Sequence, residues 1–138
     1  MLKRATMFAF AVFALMLLTA MGSKGGFERV PRVEKNFSVT VTDVTGQKIE
    51  GEKFSWEGRL RFSGTLGMAE VNVPFEKIKE VTIGEKRDRK VRVTARLIEG
   101  TEATFDMDAD THCYGETAFG SFMLGMTEIK TISFKGAR

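Results

Sequence analysis

The stretch GTLGMAEVNVPFEKIKEVTI (residues 64–83) can be laid without a gap over GETAFGSFMLGMTEIKTISF (residues 115–134), at a fixed offset of 51. Gly64 falls on Gly115, Val71 on Phe122, Val73 on Leu124, Phe75 on Met126, Ile78-Lys79 on Ile129-Lys130, Val81 on Ile132 and Ile83 on Phe134. Apolar character is kept at every second or third position while the residues between drift. That is how a structural unit repeats, rather than a catalytic one.

Outward from this stretch the chain alternates. Phe37, Val39 and Val41 point one way and Ser38, Thr40 and Thr42 the other, Thr45-Gly46-Gln47 turns, and a second strand runs to Trp56. The apolar parity changes between Ile49 and Phe54, which predicts a bulge near Gly51. Glu57-Gly58 turns before Leu60 and Phe62. Residues 67–73 then form a strand, Pro74 to Lys77 a short turn or 3₁₀ segment, and Ile78 to Ile83 a closing strand. The best helical candidate, Pro74 to Glu80, is too short to stand alone.

The second half alternates more cleanly. Val91, Val93, Ala95 and Leu97 face inward, as do Ala103, Phe105, Met107 and Ala109 after a turn at Glu99-Gly100-Thr101. A loop of two residues would set inward against outward side chains, so the pattern selects an odd loop. With three loop residues, Ile98 faces Glu102, Val93 faces Met107, Ala95 faces Phe105, Arg92 faces Asp108 and Lys90 faces Asp110.

Each half thus reads as a hairpin, one or two further strands, a one-turn helical break and a last strand. That order resembles the small five-stranded SH3-like and Sm-like β-barrels, in which a 3₁₀ turn precedes the final strand. The glycine-to-phenylalanine spacing of the repeated stretch also looks like one found in uncharacterised bacterial exported proteins. The resemblance covers residues 37–134, carries no catalytic residues and implies an all-β fold of two pseudo-repeats of about five short strands each. Tandem SH3-like barrels packed together are expected, the alternative being one pseudo-symmetric β-sandwich. The expected partition is a linker over 23–36, repeat 1 over 37–83, a basic connector over 84–90 and repeat 2 over 91–135. Each half lies near the lower size limit for independent stability, so the halves are expected to pack on one another.

The N-terminus sets the expected location. Lys3 and Arg4 precede an uncharged run from Ala5 to Gly22, and Ala20-Met21-Gly22 offers a small-residue cleavage site. Residues 1–22 read as a signal peptide, with an uncleaved membrane anchor as the alternative. Either places the remaining chain outside the cytoplasm, periplasmic or extracellular. The full chain holds 21 Lys and Arg against 18 Asp and Glu, and removing Lys3 and Arg4 leaves a net charge of +1. So near-neutral a domain argues against nucleic acid as a partner. Cys113 is the lone cysteine, so no intramolecular disulfide forms, and the fold rests on its core.

Few constellations carry chemistry. Asp106, Asp108 and Asp110 alternate as calcium-loop carboxylates do, but Thr111 and Thr117 stand where such a loop needs Gly and Glu. His112 and Cys113 are neighbours on a strand and point to opposite faces, so the imidazole does not activate the thiol. The cations Lys86, Arg87, Arg89, Lys90 and Arg92, with Arg96 beyond them, form the first-choice partner surface. Glu85 and Asp88 interrupt them, and no aromatic residue interleaves to stack on bases. Trp56 and Phe54 share a face and read as core, with an aromatic peptide groove as the other reading.

The expectation is a non-enzymatic, exported binding or structural module of the bacterial cell envelope, without cofactor. It would act by surface or sheet-edge recognition of a protein or an envelope polymer. The membrane is touched only through an uncleaved N-terminal segment. Self-association is open through Cys113 or an edge strand. A calcium-stabilised β module and a small enzyme of unknown reaction are the alternatives.

Overall fold

A computed structural model of the chain describes residues 30–137. The expected signal peptide or anchor, and the linker as far as residue 29, lie outside the described residues. The elements are β1 (Phe37–Asp43), β2 (Lys48–Trp56), β3 (Arg61–Leu66), β4 (Ala69–Pro74), a 3₁₀ turn (Phe75–Lys77) and β5 (Ile78–Arg87). The second half supplies β6 (Lys90–Leu97), β7 (Glu102–Asp108), β8 (His112–Thr117), β9 (Gly120–Gly125), a second 3₁₀ turn (Met126–Glu128) and β10 (Ile129–Ala137). The fold is all-β, and all the strand pairings are antiparallel. Among the described residues no helix is long and apolar enough to cross a membrane.

One curled sheet contains every strand, in the order β4-β3-β7-β6-β5-β10-β1-β2-β8-β9. This corrects the expectation of two barrels in tandem. A closed five-stranded barrel in each half would pair β2 with β3 and β7 with β8. Instead β3 pairs with β7, and β8 with β2, so each half lends its third and fourth strands to the other. The exchanged pairings are made at Gly64 and Gly115, where no Cβ meets the Asp106 and Glu52 carbonyls, and the chain leaves β2 at the turn that follows it. Glu57 and Gly58 both take positive φ, and Trp56 and Arg59 close it with two backbone hydrogen bonds of 2.8 and 2.9 Å. Pairing with β2 stops at that single bridge, and β3 is released towards β7.

Particular backbone hydrogen bonds recur beyond the 20 aligned residues. With an offset of 54 for the first hairpin and 51 elsewhere, the same hydrogen bonds occur in both halves. Phe75 N–H donates to the Leu60 carbonyl (3.1 Å) and Met126 N–H to the Thr111 carbonyl (2.9 Å). Val44 N–H donates to the Glu128 carbonyl (3.0 Å) and Ile98 N–H to the Lys77 carbonyl (2.9 Å). Each bond ties a hairpin loop or strand end to a 3₁₀ turn, satisfying backbone groups that the ladder leaves over.

The β6–β7 register differs from expectation by two residues. Leu97 N–H donates to the Thr101 carbonyl (2.8 Å), so the three-residue loop is Ile98-Glu99-Gly100. Gly100 ends that loop at φ +108°, where a three-residue hairpin needs a left-handed residue. Lys90 therefore stands opposite Asp108, Arg92 opposite Asp106, Val93 opposite Phe105 and Ala95 opposite Ala103. A shift of two keeps every side chain on its expected face. The expected bulge in β2 lies between Glu52 and Ser55, with Lys53 at φ +51°. Residues 84–90 are ladder rather than connector: β5 continues to Arg87, which faces Lys90 across the tip Asp88-Arg89.

Phe37, Phe54, Phe62 and Phe75 are buried and meet Phe134 edge-on or tilted, with ring centroids 5.0 to 6.4 Å apart. Trp56 joins them against Phe62 at 5.3 Å. These rings come from β1, β2, β3, the first 3₁₀ turn and β10, so strands from both halves share the cluster. Aromatic pairs of this geometry add about 0.5–1.5 kcal/mol each beyond the area they bury.

Candidate functional site

The basic segment is divided by the sheet. Lys90 and Arg92 leave the outer face of β6 and meet β7: Lys90 Nζ lies 2.7 Å from Asp108 and Arg92 Nε 3.4 Å from Asp106. Arg96 reaches Glu80 at 3.6 Å. Arg87 joins Lys90 and Arg92 around an outer hollow of about 270 Å³, which Glu85 and Asp106 also line. Arg89 sits at the hairpin tip, its carbonyl accepting the Ala109 N–H (2.8 Å). Lys86 departs from the group. It faces Val91 across the ladder and so leaves the sheet on the core side.

The three candidate metal carboxylates do not converge. Asp106 and Asp108 share the outer face of β7, each engaged by its cation, while Asp110 lies beyond the strand end in the turn. No cluster of three or more His, Cys, Asp or Glu suited to a metal ion occurs among the described residues. His112 Nδ1 lies 3.6 Å from Glu57, whose carboxylate also accepts the His112 backbone N–H at 2.6 Å. Cys113 is fully buried on the other face, and burial pushes its thiol up to about 12. Such a thiol carries almost no thiolate at neutral pH, so it is a packing residue rather than a nucleophile. Self-association through Cys113 meets the same obstacle. Trp56 and Phe54 are buried in the core, which closes the aromatic-groove reading.

Among the described residues the sheet ends in two unpaired edges, β4 and β9. They are equivalent strands of the two halves and have the same burial pattern, yet their chemistry differs. β4 carries Glu70 in its ladder and ends on Pro74, and a charge and a proline both blunt an edge. β9 reads GSFMLG, with neither charge nor proline, and its Met123 is exposed. Tyr114 stands opposite Met123, and Phe119 projects from the hairpin tip, 94% exposed. Phe122 lies over Gly51 and Gly115, its ring within 2.8 Å of where a Cβ on either would sit.

The family described as "Uncharacterised protein" matches residues 33–137. The chain belongs to that family. A similar protein of Aquifex aeolicus (strain VF5), itself described as uncharacterized, is 24% identical over 124 residues, covering 90% of this chain and 92% of that protein. No solved structure matches the chain. The family's span opens in the segment ahead of β1, where Asn36 accepts the Lys53 N–H at 2.7 Å, and runs to the end of β10.

Proposed function

We propose that the chain is a non-enzymatic, exported binding module of the bacterial cell envelope that recognises an extended polypeptide by strand addition at β9. The observation that carries this reading is the β9 edge, which among the described residues is unpaired and carries neither charge nor proline. An edge offers alternate unpaired N–H and C=O groups to an incoming strand, and flanking side chains supply specificity. Here Met123, Tyr114 and Phe119 provide that apolar flank. Export is supported by the apolar run after Lys3 and Arg4. The 3₁₀ turn ahead of the last strand of each half supports kinship with SH3-like modules, some of which take peptides. The buried Cys113 and the engaged Asp106 and Asp108 favour binding over chemistry.

Peptides selected against the full chain from a random display library test this reading. They are expected to shift the amide resonances of Gly120–Gly125, and Met123→Pro is expected to abolish their binding while the melting temperature stays close to that of the unaltered chain. Met123→Lys, which leaves the ladder intact, should weaken binding. Resonance shifts confined to another surface, or binding that survives both substitutions, would sink the assignment.

A further inference from the structure

The β1–β2 loop, the second 3₁₀ turn and the β5–β6 hairpin surround a hollow of about 290 Å³. Its floor is apolar, made by Val44, Ile83, Val91 and Ile129. Val91 and Ile129 are buried, but Val44 is 63% exposed and Ile83 half-buried, so hydrocarbon faces water there. Lys86 and Lys130 line the same hollow, and no carboxylate does. Neither ammonium has an ion-pair partner among the described residues. Lys86 faces Val91 across the ladder, and a lysine stem of this kind lies along apolar surface with its charge at the water boundary.

The other half repeats the hollow with the opposite rim. Ile98 stands where Val44 does and Glu76 where Thr127 does, and the hollow there is lined by Glu76, Lys77, Leu97, Ile98 and Glu99. Equivalent backbones thus present one cationic and one largely acidic apolar hollow. An apolar floor under two unengaged cations is complementary to a molecule with an anionic head and a hydrocarbon tail.

We infer that the Lys86–Lys130 hollow binds an anionic amphiphile, a carboxylate or phosphate carried on an alkyl chain. The two ammonium groups hold the head, and Val44, Ile83 and Ile129 take the first part of the chain. This site is separate from the β9 edge and does not depend on it.

Calorimetric titration of the full chain with decyl phosphate, kept below its micellar concentration, tests the assignment. Inorganic phosphate and decanol should each bind at least about tenfold more weakly, because each lacks one half of the recognition. Lys86→Glu, Lys130→Glu and Val44→Asp should each weaken decyl phosphate by about tenfold or more, whereas Ile98→Asp in the twin hollow should not. The apolar run at residues 5–22 is common to all these variants, so binding there is unaffected by the substitutions. Co-sedimentation with phosphatidylglycerol vesicles separates the sources. Capture that is lost in Lys86→Glu places the head in a bilayer, and monomer binding without capture makes the ligand a free amphiphile. Equal binding of decanol, or affinity for decyl phosphate that ignores Lys86, Lys130 and Val44, overturns the proposal.

Discussion

Val81 of β5 stands opposite Ile132 of β10, and the two occupy the same place in the repeated stretch, 51 residues apart. Thr82 faces Thr131 and Glu80 faces Ser133, so the ladder is centred on that pair. An antiparallel strand paired with its own equivalent has a local two-fold axis between the matching residues. From this centre the strand order reads alike in both directions, ending at β4 on one side and β9 on the other. Both side chains are fully buried.

The Val81–Ile132 contact should therefore be energetically coupled. Ile132→Ala is expected to cost about 2–5 kcal/mol, the usual range for a buried isoleucine cut to alanine. Combined with Val81→Ala in a double-mutant cycle, the two should be non-additive by about 0.5–3 kcal/mol. Denaturant unfolding monitored by Trp56 fluorescence gives the values. Strict additivity would mean the pair does not pack across the axis.

Gly64 and Gly115 make a second test of the exchanged strands. A Cβ on Gly64 would come within 3.0 Å of the Asp106 carbonyl, and one on Gly115 would lie 3.2 Å from the Glu52 carbonyl and 2.5 Å from Phe122. Each glycine thus sits where a third strand of one half crosses the second strand of the other. Gly64→Ala meets backbone, which cannot move without shifting the ladder, and should cost more than the roughly 1–3 kcal/mol typical of overpacking. Gly115→Ala meets chiefly a ring, so Phe122→Val, which installs the residue found at the matching position 71, should recover part of the loss. A Gly115→Ala chain that Phe122→Val leaves equally destabilised would place the obstruction elsewhere.

Alternation made the strands, the 3₁₀ turns and the inward faces legible, because period two and burial are local properties. The strand exchange was not. A two-residue turn at Glu57-Gly58 suits pairing of β3 with β2 as well as with β7, so local sequence does not choose between them. Register at Ile98-Glu99-Gly100 was misplaced by one loop position because facing parity is blind to shifts of two. Only the need for a left-handed residue at the loop's end distinguishes them. Among the candidate sites, the charge pattern shows that β6 cations meet β7 carboxylates, but the expected partners, Arg92 with Asp108 and Lys90 with Asp110, are each displaced by two residues to Asp106 and Asp108. Lys130 as the companion of Lys86 was not legible, since 44 residues separate them and only the β5–β10 ladder brings them together.

The buried thiol gives an alkaline signature. Cys113 is raised from its ordinary 9.0 to about 12 by burial. Above pH 9 the unfolded chain loses a proton that the folded chain keeps, so the unfolded state is favoured progressively until about pH 12. The stability attached to this group is fully present below pH 9 and lost across that window, by up to about 4 kcal/mol at 1.36 kcal/mol per unit. Cys113→Ala should be less stable at neutral pH yet show a flatter decline above pH 9. The native thiol should also resist Ellman's reagent at pH 8 and react at once in denaturant. Rapid labelling of the native chain would contradict the burial.

The first hairpin loop should respond to acid. The Asp43 carboxylate accepts hydrogen bonds from Thr45 Oγ1 (2.6 Å), Thr45 N–H (2.9 Å) and Gln47 N–H (3.0 Å). The Thr45 hydroxyl bond is the largest cause holding this carboxyl below its ordinary 3.8, and backbone donors add to it. A folded value below the unfolded one means stability that is present above the unfolded value and lost as pH falls through the folded one. Thr45→Val removes the main donor, so the Asp43 titration measured by carbon-13 resonance should move up towards 3.8. Acid unfolding should then lose part of its dependence on Asp43. The equivalent position of the second hairpin is Leu97, whose loop instead has Thr101 donating to Glu99 at 2.8 Å, so Thr101→Val should leave the Asp43 titration where it is. A Thr45→Val chain with an unmoved Asp43 titration would assign the shift to the backbone donors instead.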